Sequence, residues 1–226
     1  MGKLSDAGQT PAGLDLVHAD AHLLVIDKPA GLLSVPGRGA DKQDCLSARV
    51  QHLYPDALVV HRLDMATSGL VLMARGAAMQ RRLSAAFAQR QVAKRYVAVV
   101  AGRLDARLCE SGGWALIDLP LAADWPNRPR RIVDPEHGKP SQTRWRVLDY
   151  DAACDATWLE LEPITGRSHQ LRVHLQALGH PILGDTLYGA ADVQARAPRL
   201  LLHATMLQLA HPATGQPLAC SSAVPF

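Results

Sequence analysis

The apolar residues of this chain come mostly in short runs of four to six, each closed by glycine, proline or charged residues, and that punctuation limits the fold more than any other feature. Leu23–Ile26 runs into Asp27-Lys28-Pro29-Ala30-Gly31, and Val35-Pro36-Gly37-Arg38-Gly39 follows, so a strand leads into a long Pro/Gly loop of the kind that often carries function. Leu58–Leu63 and Gly69–Ala74 predict strands around a turn at Ala66-Thr67-Ser68-Gly69. The β-branched run Tyr96–Ala101 and Thr157–Leu161 predict two more, and Leu200–His203 with Met206–Leu209 predicts a late pair. Helical spacing occurs in two places. Met79, Leu83, Ala86 and Phe87 share one face of a segment ending near Arg90, whose other face is wet and basic. Leu171, Leu175 and Leu178 repeat at four and three residues behind a cap predicted at Ser168, and Gly179 with Pro181 stops that helix. With no repeat, heptad run or linker, the pattern predicts one mixed α+β domain over residues 1–226.

A chain of 226 residues can bury a sizeable core, and 48% hydrophobic with 20% charged residues excludes disordered and low-complexity classes. No stretch approaches the roughly 18 apolar residues that span a bilayer. The opening MGKLSDAGQT lacks the apolar centre of a secretion signal, so a cytoplasmic protein with no membrane partner is expected. Cys45, Cys109, Cys154 and Cys220 lie 64, 45 and 66 residues apart, which favours reduced structural thiols over zinc or thioredoxin-type chemistry.

The formal charge is only +3, but it is unevenly arranged. Between Arg62 and Arg95 seven basic residues face a single acid, Asp64, whereas Asp149, Asp151, Asp155, Glu160 and Glu162 form an unopposed acidic stretch. Two solvated faces and one anion-binding side are both compatible with this distribution.

Dinucleotide, P-loop, nucleophile-elbow and zincin motifs are all absent from the sequence. His169 and His174 lie five helical residues apart, about 140° around the axis, so a metal site on that helix is not expected. Three constellations remain. In His61-Arg62-Leu63-Asp64-Met65-Ala66-Thr67-Ser68-Gly69 an acid ends a predicted strand; if Leu63 points into the core, Arg62 and Asp64 project together on the other side. Turn capping and catalysis are both open to Asp64 on this reading. In Pro163-Ile164-Thr165-Gly166-Arg167-Ser168-His169-Gln170-Leu171-Arg172 a turn enters a helix, where Arg167 could meet a phosphate or pair with Asp64 and keep it ionised. In Lys94-Arg95-Tyr96, Tyr96 could stack on one flipped base or lie in the core. Aromatic residues make up only 4% of the chain, which argues against an RNA platform of many rings.

Together, HRLDMATSG, KRYVAVV and LEPITGRSHQLRVHL, in this order, resemble the motifs of the RluA-type pseudouridine synthases. The resemblance extends from VIDKPAGLLSVPG through HPILGDTLYG to PRLLLHA and so covers most of the chain. ADWPNRPRR with GKPSQTRW is further similar to the RluA subgroup, which modifies ribosomal RNA and a transfer-RNA anticodon stem-loop. It implies the pseudouridine synthase fold, a mixed, mainly antiparallel central sheet with flanking helices and a catalytic cleft. The N-terminal S4 RNA-binding domain of many members is not expected here, because the acid motif already begins at His61.

By the same resemblance, Asp64 is the catalytic aspartate, Tyr96 packs against the target base and is implicated in proton removal at C5, and Arg167 is the ionic partner of Asp64. Arg62 would enter the stack vacated by the uridine, and Arg172, Lys28 and Arg128 of the WPNRP segment are RNA contacts. The implied reaction is a cofactor-free, metal-free isomerisation by a monomer, with rRNA or a tRNA stem-loop as its partner. Two other readings stand beside it: an RNA-binding protein without turnover, and a metal-dependent phosphodiesterase using Asp64, His61 and His169.

Overall fold

The computed structural model describes residues 14–105 and 113–226. Along the chain come β1 (Asp15–Ala19), β2 (Leu23–Lys28), α1 (Leu46–Leu53), β3 (Ala57–Val59), β4 (Ser68–Arg75), α2 (Gly76–Ala88) and β5 (Ala93–Ala101). There follow β6 (Ala115–Asp118), β7 (Leu121–Ala123), β8 (Arg131–Val133), β9 (Gln142–Asp151), β10 (Ala156–Pro163), α3 (Gln170–Ala177), α4 (Ala191–Ala195), β11 (Leu202–Ala210) and β12 (Pro217–Ser221). Ten strands form one sheet in the order β1-β2-β4-β11-β5-β10-β9-β6, with β3 on β4 and β12 on β11, while β7 and β8 make a separate hairpin. Within the large sheet only β4 and β11 pair in parallel. The expected α+β class and mainly antiparallel sheet are therefore what the chain adopts.

The continuous apolar runs follow from burial on both faces of the sheet. Leu24, Ile26, Val71 and Met73 point to one core, shared with Leu46 and Val50 of α1 and with Leu171 and Leu175 of α3. Leu23, Val25, Leu70 and Leu72 point to the other, closed by Leu83 of α2. Each fully buried Leu, Ile or Val contributes about 1.5–3 kcal/mol. At the centre, Gly69 lies against Ala204 of β11 with φ +110°, and a Cβ there would stand 2.3 Å from the Ala204 carbonyl oxygen. The parallel pairing that follows the Asp64 loop therefore requires a residue without a side chain at position 69.

Several expected elements differ in extent. The strand expected over Leu58–Leu63 stops at Val59, because the groups beyond it are bonded elsewhere. The Ser34 hydroxyl donates to the Leu63 carbonyl and accepts its N–H, and His61 Nε2 accepts the Leu72 N–H. The two late strands are one strand, β11, whose register against β5 slips between Ala204 and Met206. Ser168 does not cap α3. His169 holds that position in the left-handed region at φ 57°, and the Gln170 side chain accepts the Arg167 N–H instead.

The charge segregation of the sequence also dissolves in three dimensions. Arg95 of the basic stretch pairs with Glu162 of the acidic one at 2.6 Å, while Arg146 pairs with Glu160 at 2.6 Å and Arg75 with Asp56 at 3.2 Å, so members of both stretches are neutralised, one pair joining the two directly.

Candidate active site

A cleft of about 700 Å³ opens where the 61–67 loop, the start of β5 and the turn between β10 and α3 meet. Asp64 lies on its wall with its side chain 28% exposed, Arg62 is exposed at the rim and Leu63 is buried. The alternation expected from sequence, Leu63 inward and its two charged neighbours toward the cleft, holds although this segment is not a strand.

The loop is held from beneath by the Pro/Gly segment after β2. Lys28 is fully buried and its ammonium donates to the carbonyls of Pro29, Leu32 and Met65 at 2.8, 2.9 and 3.2 Å. Gly31 N–H donates to the Met65 carbonyl as well. Burial draws the Lys28 pKa down to about 8 while the charge of Asp64 opposes the shift. Lys28 is therefore a strut under the Asp64 loop, and the RNA contact expected of it is corrected: a fully buried ammonium cannot reach a phosphate. His61 stacks on Phe87 at 4.4 Å, and burial pushes its pKa down to about 3, consistent with a neutral ring accepting the Leu72 N–H.

Across the cleft, Gln170 organises the turn into α3. Its Oε1 accepts from Thr165 Oγ1 and from the Arg167 N–H, and its Nε2 donates to the Gln142 carbonyl and to Thr143 Oγ1. Thr165 Oγ1 in turn accepts the Gln142 N–H. These bonds turn the exposed Arg167 side chain along the rim, where its guanidinium donates to the Pro140 carbonyl.

The cation beside Asp64 is Arg172, at 3.9 Å from Nη1 to Oδ2, with His169 Nε2 3.9 Å from the other carboxylate oxygen. Two expectations are corrected here. Arg167 lines the cleft without pairing with Asp64, and Arg172, expected to contact RNA, is 4% exposed and bonded twice to the fully buried Asp185 at 2.8 and 2.6 Å. Burial opposes the Arg172 charge, but the bonds to Asp185 and the nearby Asp64 outweigh it and raise its pKa. Asp185 also accepts the N–H groups of Leu187 and Tyr188 on Oδ1.

Tyr96 on β5 lines the cleft, 9% exposed, and its hydroxyl makes no hydrogen bond among the described residues. Burial, reinforced by the negative charge of Asp64, raises the pKa of its hydroxyl, so the ring is a neutral phenol at physiological pH. Arg90 and Lys94 add positive charge to the walls. Arg128 is exposed on the β7–β8 arm with its guanidinium 3.5 Å over the Trp125 ring, itself 68% exposed.

The histidines do not converge. His174 is buried between Thr143 Oγ1 and the Leu119 carbonyl, and among the described residues no group of three His, Cys, Asp or Glu side chains could hold a metal ion. Asp185, Tyr188 and Gln170 were given no role by sequence reasoning, and His169 was considered only as a metal ligand. For Asp185 a signal existed: Gly184-Asp185-Thr186-Leu187-Tyr188 has the form of an Asx turn, whose carboxylate caps the following N–H groups.

The RNA pseudouridylate synthase family model matches residues 22–177. The chain is 49% identical over 213 residues, 94% of both chains, to the dual-specificity RNA pseudouridine synthase RluA of Escherichia coli, and 48% identical to that of Yersinia pestis over 90% of this chain and 95% of the relative. The solved structure of human RNA pseudouridylate synthase domain containing 1 superimposes with a TM-score of 0.75 at 28% identity, covering 94% of this chain and 84% of the other. With the sheet, the Asp64 cleft and these likenesses in agreement, the chain belongs to the RNA pseudouridylate synthase family.

Proposed function

We propose that this enzyme isomerises uridines to pseudouridine in two kinds of structured RNA, a 23S ribosomal RNA hairpin loop and a transfer-RNA anticodon stem-loop, and that Asp64 is its reacting carboxylate. The observation that carries the chemistry is the placement of Asp64, partly exposed beside Arg172 in a cleft that is large enough for a nucleotide and that Tyr96 also lines. The dual substrate range rests on the relatives that bear that description at 49% identity. A metal-dependent phosphodiesterase built on Asp64, His61 and His169 finds no support, because His61 spends its Nε2 on the Leu72 N–H.

The reaction balances within one nucleotide. The bond from C1′ to N1 breaks, the ring turns, the bond from C1′ to C5 forms, the C5 proton leaves and N1 is protonated. No electrons are gained or lost, so no redox cofactor is required. Attack at C1′, attack at C6 and proton removal at C2′ all need a charged Asp64, and Arg172 stabilises that charge in the cleft. Tyr96 gives the detached ring a flat surface to turn against, with its hydroxyl near the carboxylate for the C5 proton. Extruding the uridine costs a few kcal/mol in a helix and less in a loop. Phosphate contacts from Arg62, Arg167 and Arg128 offset that cost.

In this proposal the catalytic body selects its own RNA, as a monomer in the cytoplasm. Carbodiimide mapping of pseudouridine in total RNA from cells lacking the protein, against the parent strain, tests it. Loss of one ribosomal and one transfer-RNA site is expected, and an unchanged map would overturn the reading.

A further inference from the structure

Among the described residues two basic side chains come within 4 Å of the Asp64 carboxylate, one for each oxygen, and of these Arg172 is the permanent cation. The other, His169, occupies the left-handed position that opens α3, with its side chain 12% exposed. Its Nδ1 lies 2.7 Å from the Tyr188 hydroxyl, and the two rings meet edge to face at 5.7 Å. The same hydroxyl oxygen accepts the backbone N–H of Arg131 at 2.8 Å, at the base of the β7–β8 arm.

These contacts fix where the imidazole proton sits. A phenol has one hydrogen to donate, and the Arg131 N–H already fills one acceptor direction of its oxygen. Among the described residues His169 Nδ1 is the remaining partner, so a proton on Nδ1 would leave the Tyr188 hydrogen without an acceptor. Tyr188 therefore donates to Nδ1, the ring proton is on Nε2, and that N–H faces Asp64 Oδ1 at 3.9 Å. Four charged groups face the ring: Asp64, Arg172, Arg131 and Asp185. Burial lowers the pKa of His169 against the pull of Asp64, and the ring stays neutral.

We propose that His169 is a positioning residue for Asp64: a neutral imidazole, locked by Tyr188 in the Nε2–H form, that orients one carboxylate oxygen while Arg172 holds the other. Tyr188 makes this lock dependent on the arm, since the Arg131 N–H that holds its hydroxyl belongs to β8. The arrangement leaves the outward lone pairs of Asp64 aimed into the cleft. A neutral donor suits this position because it directs the carboxylate without adding a second positive charge that would bind it too firmly to react. The inference rests on the assignment of Asp64 as the reacting group.

Its test combines a proton count with kinetics on the full-length protein. In histidine-¹⁵N-labelled enzyme, two-bond proton–nitrogen correlation spectra of His169 should show the proton on Nε2, and Tyr188→Phe should give a mixture of tautomers. His169→Ala should slow single-turnover isomerisation of an anticodon stem-loop about tenfold to a hundredfold, as misplacement of a reacting group by about 1 Å does, with RNA affinity unchanged. His169→Gln, whose amide nitrogen falls near Nε2, should recover at least a third of the rate, whereas His169→Asn should not. A proton on Nδ1 in the parent enzyme, a parent rate in His169→Ala, or equal rates in the Ala and Gln variants would each overturn the inference. An active Asp64→Asn variant would instead defeat the functional reading beneath it, and the two failures are thereby told apart.

Discussion

Replacing Arg172 with methionine separates the two things its guanidinium does. Methionine keeps much of the stem volume and removes the charge, which lies 3.9 Å from Asp64 and is bonded twice to Asp185. At that distance and an effective dielectric near 20 the attraction to Asp64 is about 4 kcal/mol, and the partial exposure of Asp64 reduces it to roughly 2. Single-turnover isomerisation, followed by tritium release from 5-tritiated uridine in the RNA, should therefore slow about thirtyfold. Stability should fall by about 3–5 kcal/mol in urea unfolding, because Asp185 is left buried without its cation.

Adding Asp185→Asn removes the orphaned charge while Oδ1 still accepts the Leu187 and Tyr188 N–H groups. That double variant should regain about 2 kcal/mol yet remain as slow as Arg172→Met. Arg167→Ala, which loses an exposed bond to the Pro140 carbonyl and the phosphate contact proposed for it, should stay within about 0.5 kcal/mol in stability, weaken RNA affinity, and keep near the parent single-turnover rate at saturating RNA. A larger rate loss in Arg167→Ala than in Arg172→Met, or recovery of rate together with stability in the double variant, would refute the pairing.

Three further outcomes follow from the same geometry. Tyr96→Phe keeps the ring and loses a hydroxyl that bonds to no described residue, so its melting temperature should hold while turnover drops about a hundredfold or more, measured by tritium release. Gly69→Ala places a Cβ 2.3 Å from the Ala204 carbonyl at φ +110°, and should lower stability by roughly 3 kcal/mol or leave the chain insoluble, read by urea unfolding and soluble yield. His61 is held to about 3 in the fold against 6.5 when unfolded, so the unfolded chain binds the extra proton between those values. Its contribution is complete above pH 6.5 and is lost as pH falls toward 3, by about 1.4 kcal/mol per unit. Urea unfolding at pH 7 and pH 5 should show a loss of roughly 2 kcal/mol from this group. His61→Gln should flatten that slope, and an equally steep one would place the titration elsewhere.

Much of the architecture was legible because the residues that build it act locally. The runs that became β2, β4 and β5 are apolar because the sheet is covered on both faces there, β10 showed itself by alternation, and α2 announced itself by the spacing of Met79, Leu83, Ala86 and Phe87. The Asp64 loop and Tyr96 were legible as chemistry because charged and aromatic residues stand at strand ends there. The partner of Asp64 was not. Arg167, on an exposed turn, looks like the cation that would reach across, but Gln170 ties that turn to β9 and directs Arg167 along the rim. Arg172 sits between Leu171 and Val173 and can be buried only because Asp185, thirteen residues on, neutralises it, a pairing no local pattern reveals. Lys28 misled for the same reason: a lysine in a Pro/Gly loop reads as a surface cation until three carbonyls are seen to converge on it.

The account stands most directly on Asp64. Purified protein mixed with 5-tritiated transcripts of an anticodon stem-loop and of a 23S ribosomal hairpin should release tritium from both. Asp64→Asn should bind each RNA as tightly as the parent and release none. Release by Asp64→Asn at a rate within tenfold of the parent, or none from either RNA by the parent enzyme, would contradict the claim that this carboxylate performs the isomerisation.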